Sequence, residues 1–178
     1  MNSVLTKLTG GNRGSIGRSN EVVAAVLARP ALFPALFAGF SNDDPVIRMR
    51  AADAIEKITT QRPELLQPFK RKLLAIAGGS DQQEVRWHSA LMLPRLTLTR
   101  AERAVVLDIL FDYLRDKSSI VKTFAMQALW DLAAADPKLK AQIIPLIEEL
   151  TLVGTAAMRA RGRKLLGQRS VPSTRPRP

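Results

Sequence analysis

The sequence contains no cysteine and only one histidine, His88. A disulfide framework and a thiolate zinc site are therefore excluded, and one imidazole cannot build a histidine-rich metal site. The chain also lacks a run of about 18 uncharged apolar residues, and residues 1–17 contain no apolar core of signal-peptide length. We therefore expect a cytoplasmic protein with no transmembrane segment, no metal and no cofactor.

Strand signals are missing as well, whereas signals for the start of a helix recur along the chain. Proline occupies a first helical position at Pro45, Pro63 and Pro137, and Thr99-Arg100-Ala101-Glu102 matches a capping box. The sequence predicts an all-α fold. We expect helices near residues 20–28, 31–40, 45–60, 63–77, 83–96, 100–115, 119–135, 137–152 and 155–168.

One pattern repeats along the chain, in the stretches that begin at Pro45, Gln83 and Ser119 and, in degenerate form, at Ala156. In each stretch an apolar residue precedes a cation, and a small residue follows the cation three positions later. The apolar residues are Ile47, Val85, Val121 and Met158, the cations are Arg48, Arg86, Lys122 and Arg159, and the small residues are Ala51, Ser89, Ala125 and Gly162. The cations are 38, 36 and 37 residues apart. Small residues at one helical position let a neighbouring helix approach closely, so the pattern indicates a repeated stacking surface.

This pattern resembles HEAT-type repeats over roughly residues 31–166, because the second helix of such a repeat opens with Val-Arg-x-x-Ala after an acidic turn. The resemblance implies a right-handed alpha-alpha superhelix, an alpha-solenoid of about four helical hairpins. It also implies a structural ladder of turn acids and helix cations. The implied pairs are Asp43 with Arg48, Asp81 with Arg86, and Asp116 with Lys122. The fourth unit has no turn acid, so we expect it to serve as a polar cap.

The net charge of +11 is concentrated at the two ends of the chain. Residues 1–30 carry +3 and residues 155–178 carry +7, which leaves +1 for the body. We predict a flexible N-terminal segment over residues 1–19, a single repeat domain over 20–168 and a disordered, basic, proline-rich tail over 169–178. The segment Gly10–Ser19 fails as a phosphate loop, because Arg18 stands in place of the lysine and no apolar strand precedes it.

No catalytic residue is predicted. Ser89, His88 and Asp131 contain the groups of a hydrolytic triad, but adjacent residues on a helix diverge and no nucleophile-elbow pattern surrounds the serine. We therefore expect a non-catalytic scaffold or adaptor that binds a protein partner through the concave face of the solenoid. The candidate contact residues are Arg50, Lys57, Trp87, His88, Arg95, Gln127 and Asp131, with His88 expected to be exposed on the groove side, together with Arg159, Arg161, Arg163 and Lys164 on a basic C-terminal helix.

The alternative hypothesis is nucleic-acid binding, in which the basic C-terminal helix contacts phosphates. HEAT-like-repeat alkylpurine DNA glycosylases are similar in repeat pattern, and the resemblance would imply groove aromatics and a carboxylate around a lesion. However, Leu91 and Ala134 occupy the positions one turn after Trp87 and Trp130, where an acidic residue would be needed. Residue-level support for a glycosylase is therefore missing, and plain nucleic-acid binding remains the open alternative.

Overall fold

The structure is a computed structural model that describes residues 3–167, and this part of the chain contains α-helices and no strand. The ten α-helices are α1 Ser3–Thr6, α2 Ser19–Ala28, α3 Phe33–Ala38, α4 Pro45–Gln61, α5 Lys70–Gly79, α6 Gln83–Met92, α7 Arg100–Tyr113, α8 Ser119–Ala133, α9 Pro137–Val153 and α10 Ala156–Gly167. Short 3-10 segments cover Pro30–Leu32, Gly39–Ser41, Pro63–Phe69 and Leu93–Arg95. The predicted tail over residues 169–178 lies outside the described residues.

Helix starts follow the capping signals of the sequence. The Asp44 side chain accepts a hydrogen bond from the Val46 amide, and the Asp136 side chain accepts from two amides at the start of α9. Thr99 and Glu102 form the complete capping box of α7. Hydrogen bonds from the Lys70 ammonium and the Thr99 amide lower the pKa of Glu102 to about 2. The caps confirm the predicted starts of these three helices.

The helices pack around one continuous hydrophobic core. The even-numbered helices lie side by side, because α2 contacts α4, α4 contacts α6, α6 contacts α8, and α8 contacts α10. We call this series the even-helix row. Each of α3, α5, α7 and α9 packs against the even-numbered helix that follows it in the chain. The even-numbered helices from α4 to α10 therefore pack both against one another and against the odd-numbered helices that precede them.

The small residues of the repeat lie where helices pack most closely. Ala51, Ser89 and Ala125 are fully buried, and Gly162 is buried in α10. A Cβ atom added at Gly162 would lie 1.8 Å from Oγ1 of Thr151 on α9. The absence of a side chain at Gly162 therefore sets how closely α9 and α10 approach.

The N-terminal segment contacts the body of the molecule in a way that the sequence did not indicate. Val4 and Leu8 are buried in the hydrophobic core on either side of the end of α1. The main chain that follows Leu8 wraps around the side chain of Arg50 on α4. Residues 3–17 are thus placed against the first helices of the even-helix row.

Within residues 3–167, no helix combines the length and the apolar character needed to cross a membrane.

Candidate functional site

A connected group of side chains extends along the even-helix row from α4 to α10. Its members are linked by ring stacking, hydrogen bonds, ion pairs or electrostatic interaction. We call this group the row surface. It consists of Asp53, Glu56, Lys57, Trp87, His88, Arg95, Phe124, Gln127, Asp131 and Arg161.

Planar groups from three helices stack on one another at the centre of the row surface. The rings of His88 and Trp87 are 3.4 Å apart between centroids, and those of Trp87 and Phe124 are 5.3 Å apart at 23°. The guanidinium carbon of Arg161 lies 5.7 Å from the Phe124 centroid. Such contacts between aromatic rings, and between a guanidinium and a ring, are attractive. The ring faces of Trp87 and Phe124 are therefore at least partly occupied by their neighbours within the stack.

A chain of hydrogen bonds joins α10 to α8 beside the stack. Nη1 of Arg161 donates to Oε1 of Gln127 at 2.8 Å, and Nε2 of Gln127 donates to Oδ1 of Asp131 at 2.8 Å. Asp131 is exposed as a residue, yet its carboxyl group is partly desolvated, which raises its pKa above the ordinary value. The hydrogen bond from Gln127 and the positive charges of Arg161 and Arg95 oppose this rise. Asp131 is the most open acidic group of the row surface.

Ion pairs hold the α4 side of the row surface. Nζ of Lys57 lies 2.8 Å from Oδ2 of Asp53, and the same oxygen accepts a hydrogen bond from the Ser19 hydroxyl. Arg95 pairs with the Glu56 carboxylate and donates to the Glu56 carbonyl at 2.7 Å. The row surface therefore contains three cationic and three carboxylate side chains besides His88. These six groups carry no net charge when all of them are ionised.

His88 is buried, with 2% of its surface exposed, although we expected it to be exposed on the groove side. The expectation failed because Trp87 folds over the imidazole, so that adjacent side chains of α6 stack. Burial lowers the pKa of His88 to about 3, and the charges of Lys57 and Arg95 act in the same direction while that of Asp53 opposes it. Its Nδ1 atom has no hydrogen-bond partner among the described residues. His88 is therefore neutral near pH 7.

Arg50 is also buried, at 3% exposure, but it contacts the N-terminal segment rather than the side chains of the row surface. Its guanidinium donates hydrogen bonds to main-chain carbonyl groups of the N-terminal segment. The other candidates between α4 and α8 are more open: Lys57, Trp87, Gln127 and Arg95, which lies in the 3-10 segment after α6, are half-buried, and Asp131 is exposed.

The helix cations contact other partners than the turn-acid side chains that the resemblance to HEAT repeats implies. Arg86 contacts Asp116 in the turn of the next hairpin, at 2.9 Å, as well as Asp112. Arg48 donates to the main-chain carbonyls of Asn42 and Asp43 and to Oε1 of Gln82. Asp81 lies beside Arg48 in the lining of a shared pocket of about 350 Å³. Lys122 is half-buried on α8. Arg86 and the Arg48–Gln82 hydrogen bond thus connect consecutive turns, whereas the other two hydrogen bonds of Arg48 bind the turn before its own helix.

The four cations of α10 separate into two groups. Arg161 turns toward the row surface, whereas Arg159, Arg163 and Lys164 are exposed. Arg159 donates to the main-chain carbonyl of Gly154 at 2.8 Å. The structure thus divides the predicted basic helix into one side chain of the row surface and an exposed basic face.

The arrangement does not assemble the hydrolytic groups that the sequence contains. Ser89 is fully buried, and its hydroxyl has no hydrogen-bond partner among the described residues. The neighbouring imidazole of His88 is stacked beneath Trp87. A substrate cannot reach these two groups together in this conformation.

Sequence reasoning missed Phe124 and Glu56 as members of the row surface. The repeat spacing contained a signal for Phe124, since it follows His88 by 36 residues and precedes Arg161 by 37. Those are the spacings of the helix cations, so the three residues share one position of the repeat.

Comparison with protein-family models, with curated proteins and with solved structures finds no match for this chain.

Proposed function

We propose that the chain is a HEAT-like helical-repeat protein that binds a protein partner through the row surface, without catalysing a reaction. The side-by-side packing of α2, α4, α6, α8 and α10, each of the last four also packed against the odd-numbered helix before it, supports a solenoid of about four hairpins. The resemblance to HEAT repeats implies that this solenoid is right-handed. The recurrence of buried small residues at Ala51, Ser89, Ala125 and Gly162 supports the same arrangement. The cytoplasm, as a reducing compartment, suits a chain without cysteine.

The observation that supports a protein partner is the composition of the row surface. It places Trp87, Phe124 and Arg161 in one stack and surrounds them with balanced charges. Tryptophan, tyrosine and arginine dominate the binding energy of protein interfaces, and polar groups of both signs form the rim. A surface with a pre-ordered aromatic centre loses little side-chain entropy on binding.

The exposed face of α10 supports the alternative, nucleic-acid binding. Arg159, Arg163 and Lys164 are exposed there, and the helix contains no acidic residue. Such a face could supply sequence-independent contacts to phosphates. The row surface favours this function less, because its charges balance and because bases stack on free aromatic faces, whereas Trp87 and Phe124 stack on each other.

A charge reversal at the most open acid of the row surface tests the proposal. The tagged wild-type chain is first used to capture the protein partner from the native host. With Asp131→Arg, we expect the captured amount of that partner to fall at least tenfold, because a misplaced charge at an interface is costly. Glu149→Arg is the matched control, since it makes the same charge change at an exposed position on α9. Quantitative mass spectrometry of the captured proteins measures the effect. Equal capture by Asp131→Arg, Glu149→Arg and the wild type would contradict the proposal.

Charge changes on α10, compared with Asp131→Arg, test the alternative. A salt titration of binding to a generic duplex and a generic single strand measures phosphate contacts through the slope of affinity against salt. Tight, salt-dependent binding that disappears when Arg159, Arg163 and Lys164 are changed to glutamate, and that is insensitive to Asp131→Arg, would favour nucleic-acid binding through α10.

A further inference from the structure

Arg50 is enclosed by the main chain of the N-terminal segment. Its Nε donates to the Ser15 carbonyl at 3.0 Å, and Nη1 lies within 3.1 Å of the carbonyls of Leu8, Thr9 and Gly10. Nη2 is 3.4 Å from the carbonyl of Asn12. The segment that a phosphate-loop comparison singled out in the sequence therefore presents carbonyl oxygens to a cation, rather than amides to an anion.

This cation is buried without a counter-ion. Among residues 3–167, no carboxylate forms an ion pair with Arg50, and the nearby Asp53 is engaged by Lys57 and Ser19. Buried charges in proteins are usually paired, because transfer of an ion out of water is costly. Carbonyl dipoles compensate part of that cost, but a carboxylate matches a guanidinium in charge and in bidentate geometry.

Apart from its carbonyl contacts with Arg50 and the pairing of Arg18 with Glu21 on α2, the enclosing segment has few contacts with the body. Every residue from Thr9 to Arg18 is exposed, and we call this stretch the strap. Its anchors lie outside it, at the buried residues Leu8 and Ser19. Within the strap, Nη1 of Arg13 lies 3.7 Å from Oε2 of Glu84 on α6. Opening of the strap therefore removes polar contacts but leaves the hydrophobic core intact, and segments of this kind open at low free energy.

The strap covers one end of the row surface. Arg50 precedes His88 by 38 residues and so shares the repeat position of His88, Phe124 and Arg161, which all contribute to the central stack. It also lies one turn before Asp53 on α4. An open strap would add an uncovered arginine to the row surface beside Lys57.

We propose that the strap is a displaceable cover and that an acidic segment of the protein partner binds Arg50 in its place. The carboxylate of that segment replaces the carbonyl groups around the guanidinium, and the closed strap lowers the affinity of the surface for it. The inference rests on the proposed function, because it assigns the partner chemistry and the regulation of the same surface.

Gly17→Ala is the variant that opens the strap. Gly17 has a φ of +53°, and a Cβ atom added there would lie 2.7 Å from the guanidinium carbon of Arg50. Because left-handed backbone disfavours alanine and the clash adds to this, we expect the closed strap to be weakened roughly tenfold or more. Gly79→Ala is the control, since no atom lies within 4 Å of its added Cβ and its φ is ordinary.

The test combines two measurements on the full chain. Limited digestion with trypsin should show faster cleavage after Arg13 and Arg18 in Gly17→Ala, with cleavage within residues 19–61 unchanged. Fluorescein-labelled hexaglutamate is the probe, and its affinity for Gly17→Ala should rise roughly tenfold over the wild type, because the competent fraction rises by that factor. Hexaglutamine should bind neither protein. The gain should vanish in Gly17→Ala with Arg50→Gln and persist in part with Arg50→Lys, which keeps the charge.

Three results would overturn the inference. Faster cleavage of the strap without a gain in hexaglutamate affinity would show that the strap does not cover an acid-binding site. A gain that survives Arg50→Gln would place the acidic probe elsewhere. Cleavage of the strap only through global unfolding of wild-type and variant chains alike would show that the strap does not open by itself. None of these readouts depends on Asp131→Arg, so failure of the proposed function in the capture experiment is distinguishable from failure here.

Discussion

Acidification from pH 7 to pH 5 is expected to lower the free energy of unfolding of the wild-type chain by about 2 kcal/mol more than that of His88→Gln. The folded chain holds the pKa of His88 at about 3, against 6.5 for an unperturbed imidazole. Between these two values the unfolded chain binds a proton that the folded chain does not bind. Stability therefore falls as the pH drops below about 6.5, and it continues to fall toward pH 3.

Urea unfolding at several pH values measures this difference. His88 is the only histidine, so no second imidazole contributes in this window. Asp53, Lys57 and Arg95 are the charged groups that act on it, and they are present in both proteins. Subtraction of the two pH profiles therefore isolates His88 from the carboxylates. Parallel profiles between pH 7 and pH 5 would mean that the imidazole is exposed to water in solution.

Gly162→Ala is expected to destabilise the fold by about 2 kcal/mol, as overpacking of a closely packed site does. The new Cβ would overlap Oγ1 of Thr151 and would lie 3.0 Å from its Cβ. Rotation of Thr151 away from the overlap would break its hydrogen bond to the Ile147 carbonyl. The higher helix propensity of alanine offsets only about 1 kcal/mol of this cost.

Gly167→Ala on the same helix is the matched control, because no atom lies within 4 Å of its added Cβ. Chemical denaturation should show little change or a small gain in stability for this variant. Thr151→Ala combined with Gly162→Ala should recover part of the loss, as expected for residues in contact. If Gly162→Ala were as stable as Gly167→Ala, then α9 and α10 could not pack as closely as the structure places them.

Local signals in the sequence predicted most of the helices, but α1 was not predicted, and the first part of the helix expected over 63–77 is the 3-10 segment Pro63–Phe69. Proline after a capping residue placed the starts of α4 and α9 at Pro45 and Pro137, and Thr99 with Glu102 placed the start of α7. A capping side chain accepts hydrogen bonds from free amides within the first turn of its own helix. A few neighbouring residues are therefore enough to predict where the helix starts. Ser89 and Gly162 are buried, in agreement with the repeat pattern, because small residues let neighbouring helices approach closely.

The environment of single polar residues could not be predicted in this way. Arg50 looks like a surface cation of α4, and only the path of the N-terminal segment in space encloses it. His88 looks exposed by its helical position, but the neighbouring Trp87 covers it. Arg86 pairs with Asp116 because stacked turns bring together residues 30 positions apart, rather than the acid that precedes its own helix. Burial and pairing of this kind depend on tertiary contacts that a repeat pattern does not specify.

Site-specific photo-crosslinking tests the protein-binding row surface most directly. A benzoylphenylalanine residue placed at position 131 in the native host should crosslink to one discrete protein, and the same residue at position 111, an exposed site on α7, should not. Mass spectrometry of the adduct would identify the partner and the segment that it presents to the α8 part of the row surface. Adducts to nucleic acid at position 131, or protein adducts at position 111 alone, would contradict the assignment of the row surface as a protein-binding site.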